Sequence, residues 1–150
     1  YMSIKFKASE EKIQDIIDNT AKTFMLNSEP EHAFRIVANH ASEPQGEKLK
    51  MYLGGMAGTG KSQVIKTLIH FFNTRNEGYR FICMARTGSA ASLISGSTYH
   101  SMLGFSKYGE SSDNSLRDVR DHVNDVDYMF IDEISMVDCN HFYDISARLC

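Results

Sequence analysis

The sequence predicts an α/β fold, a parallel sheet wrapped by helices, and three observations carry that expectation. Short apolar runs of strand length, at 49–53, 81–85 and 126–131, alternate with segments of helical periodicity. A glycine-rich turn joins the first of these runs directly to a helical segment. A composition of 42% hydrophobic and 23% charged residues over 150 residues suits one soluble domain of ordinary size with a real core.

The elements follow in order. From about Ser9 to Phe24, Ile13, Ile16, Ile17 and Phe24 fall near one helical face. A second helix is expected from about Glu29 to His40, with Ala33, Phe34, Ile36 and Val37 as its apolar residues. Ser28 and Glu31 form an S-x-x-E capping box ahead of it, and Pro30 falls in its first turn, where a missing N–H costs little. The polar stretch 41–47, with Pro44 and Gly46, divides an N-terminal helical segment (1–47) from the α/β part (48–150).

Leu49 to Leu53 is the first strand candidate, and a helix opens near Lys61 with Val64, Leu68 and Phe72 in step and Ile65 and Ile69 beside them. Phe81 to Ala85 reads as a buried strand, Ser89 to Ile94 as a short helix, and Thr98 to Leu103 as a further helical turn. Residues 106–114 have the composition of a surface loop. Ser115 to Val123 is expected to be helical, capped by Ser115, and Val126 to Ile131 to be the third strand.

Charge and cysteine content narrow the class. Sixteen Lys and Arg against 19 Asp and Glu leave a net charge of −3, which excludes a uniformly basic nucleic-acid coat but not a basic groove. The longest apolar runs, Tyr128 to Ile131 among them, are too short to cross a bilayer, and no secretory leader is expected. Cys83, Cys139 and Cys150 make neither a C-x-x-C pair nor an even framework, so reduced thiols of an intracellular protein are expected. The chain opens at Tyr1 and stops at Cys150 within an amphipathic pattern, so it is expected to be part of a longer protein.

Gly55-Met-Ala-Gly58-Thr59-Gly60-Lys61-Ser62 satisfies G-x-x-x-x-G-K-[ST] in full. Glycines let the backbone curl so that successive N–H groups point at phosphate oxygens, and the helix that follows adds its N-terminal dipole. Lys61 is the cation for the β- and γ-phosphates, and the Ser62 hydroxyl is a Mg²⁺ ligand. The blander alternative is a plain glycine turn with a solvated lysine. The run before it and the amphipathic helix after it favour a nucleotide site.

Tyr128-Met-Phe-Ile-Asp132-Glu133 has the form of an apolar strand ending in two carboxylates. Ligands of α/β sheets gather at the carboxyl ends of strands, so Asp132 and Glu133 are expected on the same edge as the phosphate loop. Asp132 suits Mg²⁺ or its water, and Glu133 suits orienting and deprotonating an attacking water. Alone the pair would read as a solvated strand end; together with the loop it points to ATP hydrolysis rather than to a kinase.

Five segments in order then resemble the Pif-type DNA helicases of superfamily one. They are Leu26-Asn27-x-Glu29, GGMAGTGKS at 54–62, Thr87-Gly88-x-Ala90-Ala91, Thr98-x-His100-Ser101 and Ile131-Asp132-Glu133-Ile134-Ser135-Met136. The AFRIVANH stretch at 33–40 and MYLGG at 51–55 are similar to versions associated with Helitron transposons. The resemblance covers about residues 24–150. It implies a RecA-like ATPase domain, the first of two, in a 5′-to-3′ Mg-ATP-driven helicase of the nucleus, acting in DNA repair, recombination and telomere maintenance. Single-stranded or tailed DNA is the partner it implies, with no membrane. It assigns Gly58, Thr59, Gly60, Lys61 and Ser62 to the phosphate loop and Asp132 and Glu133 to the acidic motif. Thr87, Gly88, Thr98, His100 and Ser101 become the DNA-lining residues.

Two positions depart from the family pattern. Pro30 stands where an adenine-reading glutamine is expected, and it has no amide to offer a base. Arg86 stands where a proline precedes Thr87-Gly88, replacing a rigid bend with a flexible cation and leaving an extra phosphate contact open. The sensor glutamine, the γ-phosphate arginines and the second RecA-like domain are expected beyond residue 150, so the isolated chain is expected to be inactive as a motor. The alternative is a truncated, non-catalytic remnant that only binds nucleotide or DNA; a P-loop kinase fits less well.

The remaining residues have plainer readings. His32, His40, His70, His122 and His141 lack metal-ligand spacing and are expected at the surface or satisfied in the core. Met51, Met56, Met84, Met102, Met129 and Met136 are expected to fill core, and Cys83 to be a small buried hydrophobe. Tyr99 and Phe105 are open between base stacking and core packing, and His100 between structure and DNA contact. Arg117, Arg120 and Asp121 read as a charged helix face.

Overall fold

A computed structural model of the chain describes residues 11–43, 48–56, 58–105 and 113–149. They divide into two units, one ending at Gly78 and the other starting at Tyr79. The first holds helices α1 (Glu11–Thr23), α2 (Ser28–Ser42) and α3 (Lys61–Thr74), packed against one another. The second holds β1 (Phe81–Ala85), α4 (Gly88–Leu93), β2 (Ser97–Thr98), α5 (Tyr99–Met102), α6 (Asp113–Val123), β3 (Tyr128–Asp132) and α7 (Cys139–Leu149).

In the first unit the expected apolar periodicity is met in part, with Ile13, Ile16, Phe24, Ile36, Val37 and Ile69 only half-buried. Val64, Ile65, Leu68 and Phe72 of α3 are buried, as are Ile17 of α1 and Phe34 of α2. Phe34 meets Phe71 edge-on with centroids 5.9 Å apart, an arrangement contributing about 0.5–1.5 kcal/mol beyond area burial. Arg35 of α2 donates from Nη1 to Asp18 Oδ1 at 2.6 Å and from Nε to Glu31 Oε1 at 2.8 Å, tying α2 to α1. The Arg35 hydrogen bond holds the Asp18 carboxyl below its ordinary value.

Two local expectations fail here. The expected capping box does not form: Asn27 rather than Ser28 is the N-cap, it makes no side-chain cap bond, and Ser28 is already helical. Glu31 is drawn to Arg35 rather than back toward the cap. The run at 49–53 is not a strand. Among the described residues it has no regular secondary structure, and Met51 and Tyr52 are 41% and 79% exposed. Its alternation is strand-like, but a strand exists only through ladder bonds to a neighbour, which local pattern cannot supply.

The sheet of the second unit is parallel throughout, as the sequence predicts, with strand order β2-β1-β3. The central strand β1 is the most apolar and buries Phe81, Cys83, Met84 and Ala85, as a strand flanked on both sides must. Arg80 Nε bonds Asp127 Oδ2 at 2.5 Å, and the Asp127 N–H donates to the Arg80 carbonyl at 3.0 Å, which aligns the starts of β1 and β3. Met84, Tyr99, Leu103, Val119 and Ile145 form the core, with Phe105, Met129 and Ile131 packed around it.

β2 is only two residues long, and Thr98, expected to open a helical turn, is its second residue and the cap of α5. α6 already begins at Asp113, so Ser115 lies inside the helix and is not its cap. Most of the loop expected at 106–114 lies outside the described residues. Of the methionines expected in the core, Met84 is buried, but Met51, Met56 and Met136 are 41%, 81% and 55% exposed. No described helix is long and apolar enough to cross a membrane.

Candidate functional site

The phosphate loop of the first unit is shaped by glycine geometry. Gly60, the N-cap of α3, is left-handed at φ +92°, and a Cβ there would stand 2.8 Å from Pro30 Cγ. A Cβ on Gly55 would meet Thr59 Oγ1 at 2.6 Å. Two of the loop's carbonyls are engaged from inside: Lys61 Nζ donates to Gly55 O at 2.7 Å and Met56 O at 2.8 Å, and Thr59 Oγ1 donates to Met56 O at 2.8 Å. The Thr59 N–H turns to the same Met56 carbonyl at 3.4 Å. The first turn of α3 carries no acidic residue, and Ser62 is exposed in that turn beside the Lys61 cation. An anion is what this end of α3 accommodates.

In the second unit the register gathers three motifs at one sheet edge. Ala85, the last residue of β1, pairs with Thr98 on one side and Asp132 on the other. Arg86, Thr87 and Gly88 leave from between them. Asp132 is half-buried, and its Oδ1 accepts the Glu133 N–H at 2.9 Å. Glu133 is exposed and left-handed, at φ 53° and ψ 41°, before a 3₁₀ turn at Ile134–Met136. A non-glycine residue held there stores strain, as residues at reactive sites do. Burial, and then the charge of Asp132, push the buried Cys83 thiol up to about 12.

The threonines of the other two motifs act as helix caps. Thr87 Oγ1 accepts the Ala90 N–H at 3.2 Å, and Thr98 Oγ1 accepts the Ser101 N–H at 3.2 Å. Gly88 opens α4, and Ser101 is exposed on α5. Tyr99 is fully buried, so its reading resolves to core. His100 stacks on Tyr99 with centroids 4.2 Å apart and lies edge-on to Phe105 and His141 at 5.9 and 5.5 Å. Burial, then His141 and Arg86, draw its imidazole below the ordinary value.

Sequence reasoning missed the surroundings of His100. Arg86 Nη1 donates to the Tyr99 hydroxyl at 3.3 Å. Asp138 precedes α7 and holds His141 twice, accepting its N–H on Oδ1 at 2.8 Å and meeting its Nδ1 with Oδ2 at 2.8 Å. The D-x-x-H spacing ahead of an amphipathic segment is a capping signal that would have found this pair. Arg148 lies over the Phe105 ring at 4.5 Å and donates to Leu103 O at 2.7 Å.

The phosphate loop thus belongs to the first unit, and the acidic pair and threonine-histidine motifs to the second. Among the described residues no group of three or more His, Cys, Asp or Glu side chains could hold a metal ion. Ser62 in the first unit and Asp132 in the second each carry a hard oxygen donor of the kind Mg²⁺ takes.

The AAA domain family matches residues 38–149. Among curated proteins, the chain is 31% identical over 133 residues to the ATP-dependent DNA helicase PIF4 of Trypanosoma brucei brucei, covering 82% of this chain and 15% of that protein. It is 38% identical over 87 residues to the helicase PIF1 of the same organism (58% of this chain, 8% of that protein). With the helicase PIF3 it shares 36% identity over 101 residues (66% and 12%). The chain therefore spans between 8 and 15% of the length of these relatives. No solved structure matches it. With its glycine loop ahead of Lys61, its parallel sheet and its matching relatives, the chain belongs to the AAA domain family of P-loop NTPases and is of the Pif helicase type.

Proposed function

We propose that the chain is the first RecA-like ATPase portion of a 5′-to-3′ DNA helicase, with residues 48–150 as that portion and 1–47 preceding it. The observation that carries the reading is the glycine loop whose Gly55 and Met56 carbonyls are engaged by Lys61 and Thr59, at the head of a helix free of first-turn acids.

In this reading Gly55, Gly58, Thr59 and Gly60 bind phosphate oxygens, and Lys61 exchanges its loop carbonyls for the β- and γ-phosphates. Ser62 and Asp132 hold Mg²⁺, and Glu133 orients and deprotonates the attacking water. Bound Mg-ATP supplies the transferable phosphoryl group and the charge that these residues neutralise. Thr87, Gly88, Thr98, His100 and Ser101 face single-stranded DNA, and the whole protein acts in the nucleus in repair, recombination and telomere maintenance. The helicase names of the relatives and the edge where these motifs meet support the DNA-facing part of this reading, and the nuclear, repair, recombination and telomere part rests on the resemblance to the family alone.

A second reading, a module that binds nucleotide or DNA without turnover, is favoured by Pro30, packed where a base-reading amide is expected. Titration with a fluorescent ATP analogue and a single-stranded-DNA-stimulated ATPase assay separate the two. Binding lost in Lys61→Ala, with hydrolysis lost in Glu133→Gln, supports the helicase reading. Binding with no turnover in the unmodified chain supports the second. Equal affinity of the unmodified chain and Lys61→Ala for the ATP analogue overturns the phosphate-loop assignment and with it the helicase reading, leaving the second reading only as a module that binds DNA.

A further inference from the structure

We propose that Arg86 is an additional contact to the phosphodiester backbone of single-stranded DNA, aimed by the Tyr99 hydroxyl. The inference rests on the DNA-binding reading above and names a residue to which that reading gives no role.

The setting of Arg86 differs from that of Arg35, Arg75 and Arg80, and also from that of Arg148. Among the described residues Arg148 has no carboxylate partner either, but it donates to the Leu103 and Gly104 carbonyls and lies over the Phe105 ring. Arg35, Arg75 and Arg80 each close on a carboxylate, at 2.6, 3.0 and 2.5 Å. Arg86 is half-buried, and among the described residues no carboxylate lies within ion-pair distance of it. Its polar contact is a neutral phenol, Tyr99 Oη at 3.3 Å. A guanidinium drawn partly out of water without a counter-charge is unfavourable, and a bound anion would complete it.

Position decides which anion. Arg86 follows directly on β1 and lies between the Thr87-Gly88 and Thr98–Ser101 segments, which leave the same sheet edge. Its bond to Tyr99 turns it toward the β2 side of that edge, whereas Asp132 ends the strand on the other side. His100 stacks on the same Tyr99 and is held toward its neutral form by burial, His141 and Arg86, so Arg86 is the cation at this edge. Its planar fork of N–H donors suits phosphate oxygens arriving one after another along a strand.

The test is fluorescence anisotropy of a labelled oligo-dT strand across a range of salt, with a fluorescent ATP analogue titrated in parallel. Arg86→Gln should weaken DNA binding several-fold and lower the slope of log K against log salt by about 0.7, the amount for one single-strand phosphate. Arg86→Lys should retain the slope, which a merely structural role for the side chain would not predict. Affinity for the ATP analogue should be unchanged in both. If Arg86→Gln does not fold, Arg86→Met serves as the uncharged variant. An unmodified chain that binds DNA with a slope indifferent to Arg86 overturns this inference and leaves the DNA reading standing. A loss confined to the ATP analogue overturns it in favour of the nucleotide. An unmodified chain without affinity for DNA overturns both the inference and the reading beneath it.

Discussion

Pro30 of α2 closes on Gly60, the cap of α3, so tightly that a Cβ added at Gly60 would lie 2.8 Å from the proline Cγ. Two residues far apart in sequence thus shape the loop together. Gly60→Ala must take both a left-handed backbone and that contact. It should lower the stability of the chain by about 1–3 kcal/mol. Adding Pro30→Ala should recover the steric part and leave the backbone part. Urea unfolding of the single and double variants measures both, and a Gly60→Ala protein of undiminished stability would remove the contact from the account.

The same contact sets what Pro30→Gln can do. A glutamine amide introduced beside the loop has up to two hydrogen bonds to make with an adenine edge, each contributing about 0.5–1.5 kcal/mol. Affinity for ATP relative to GTP should rise by roughly 2- to 12-fold per bond made. Competition of the two nucleotides against a fluorescent analogue reads the ratio. An unchanged ratio would mean that position 30 does not face the base.

Glu133 holds a left-handed conformation at φ 53° that favours glycine. Glu133→Gly should therefore stabilise the fold by about 0.5–1 kcal/mol while abolishing any ATP hydrolysis. Glu133→Gln keeps the strained backbone and should leave stability unchanged while hydrolysis is lost. Thermal melting of the three proteins beside an ATPase assay checks the pair of effects. A Glu133→Gly protein that melts lower than the unmodified one would show that no strain is stored there.

His100 gives the second unit a pH dependence. Its imidazole is drawn below the ordinary 6.5 by burial and by His141 and Arg86, so the unfolded chain takes up the proton more readily than the folded one. The stability this contributes is complete above about pH 6.5 and is lost as pH falls through the lower folded value. His100→Phe keeps a ring on Tyr99 but cannot titrate. The drop in melting temperature between about pH 7.5 and 5.5 should be smaller in that variant. An equal drop would place the titration elsewhere.

What could be read directly from the chain was whatever a segment settles within itself. The start of α3 at Lys61 and the stripe of Val64, Leu68 and Phe72 were legible because helical bonds close inside the segment. β1 matched the expected limits because five successive apolar residues have few other places to go. The residue types of the phosphate loop were legible for the same reason: the loop binds with its own backbone and one adjacent side chain. Tertiary structure decided the rest. Leu49 to Leu53 has a strand's alternation but no ladder partner among the described residues, and β2 is a strand only because Ala85 lies opposite Thr98. Ser28 is not the cap because the Glu31 N–H already bonds the Asn27 carbonyl, and the Glu31 carboxylate closes on Arg35. The union of Pro30 with Gly60, of Arg86 with Tyr99, and of His100 with His141 joins residues that no sequence period relates. Such contacts arise when separate elements pack, and a local pattern carries no record of which elements will meet.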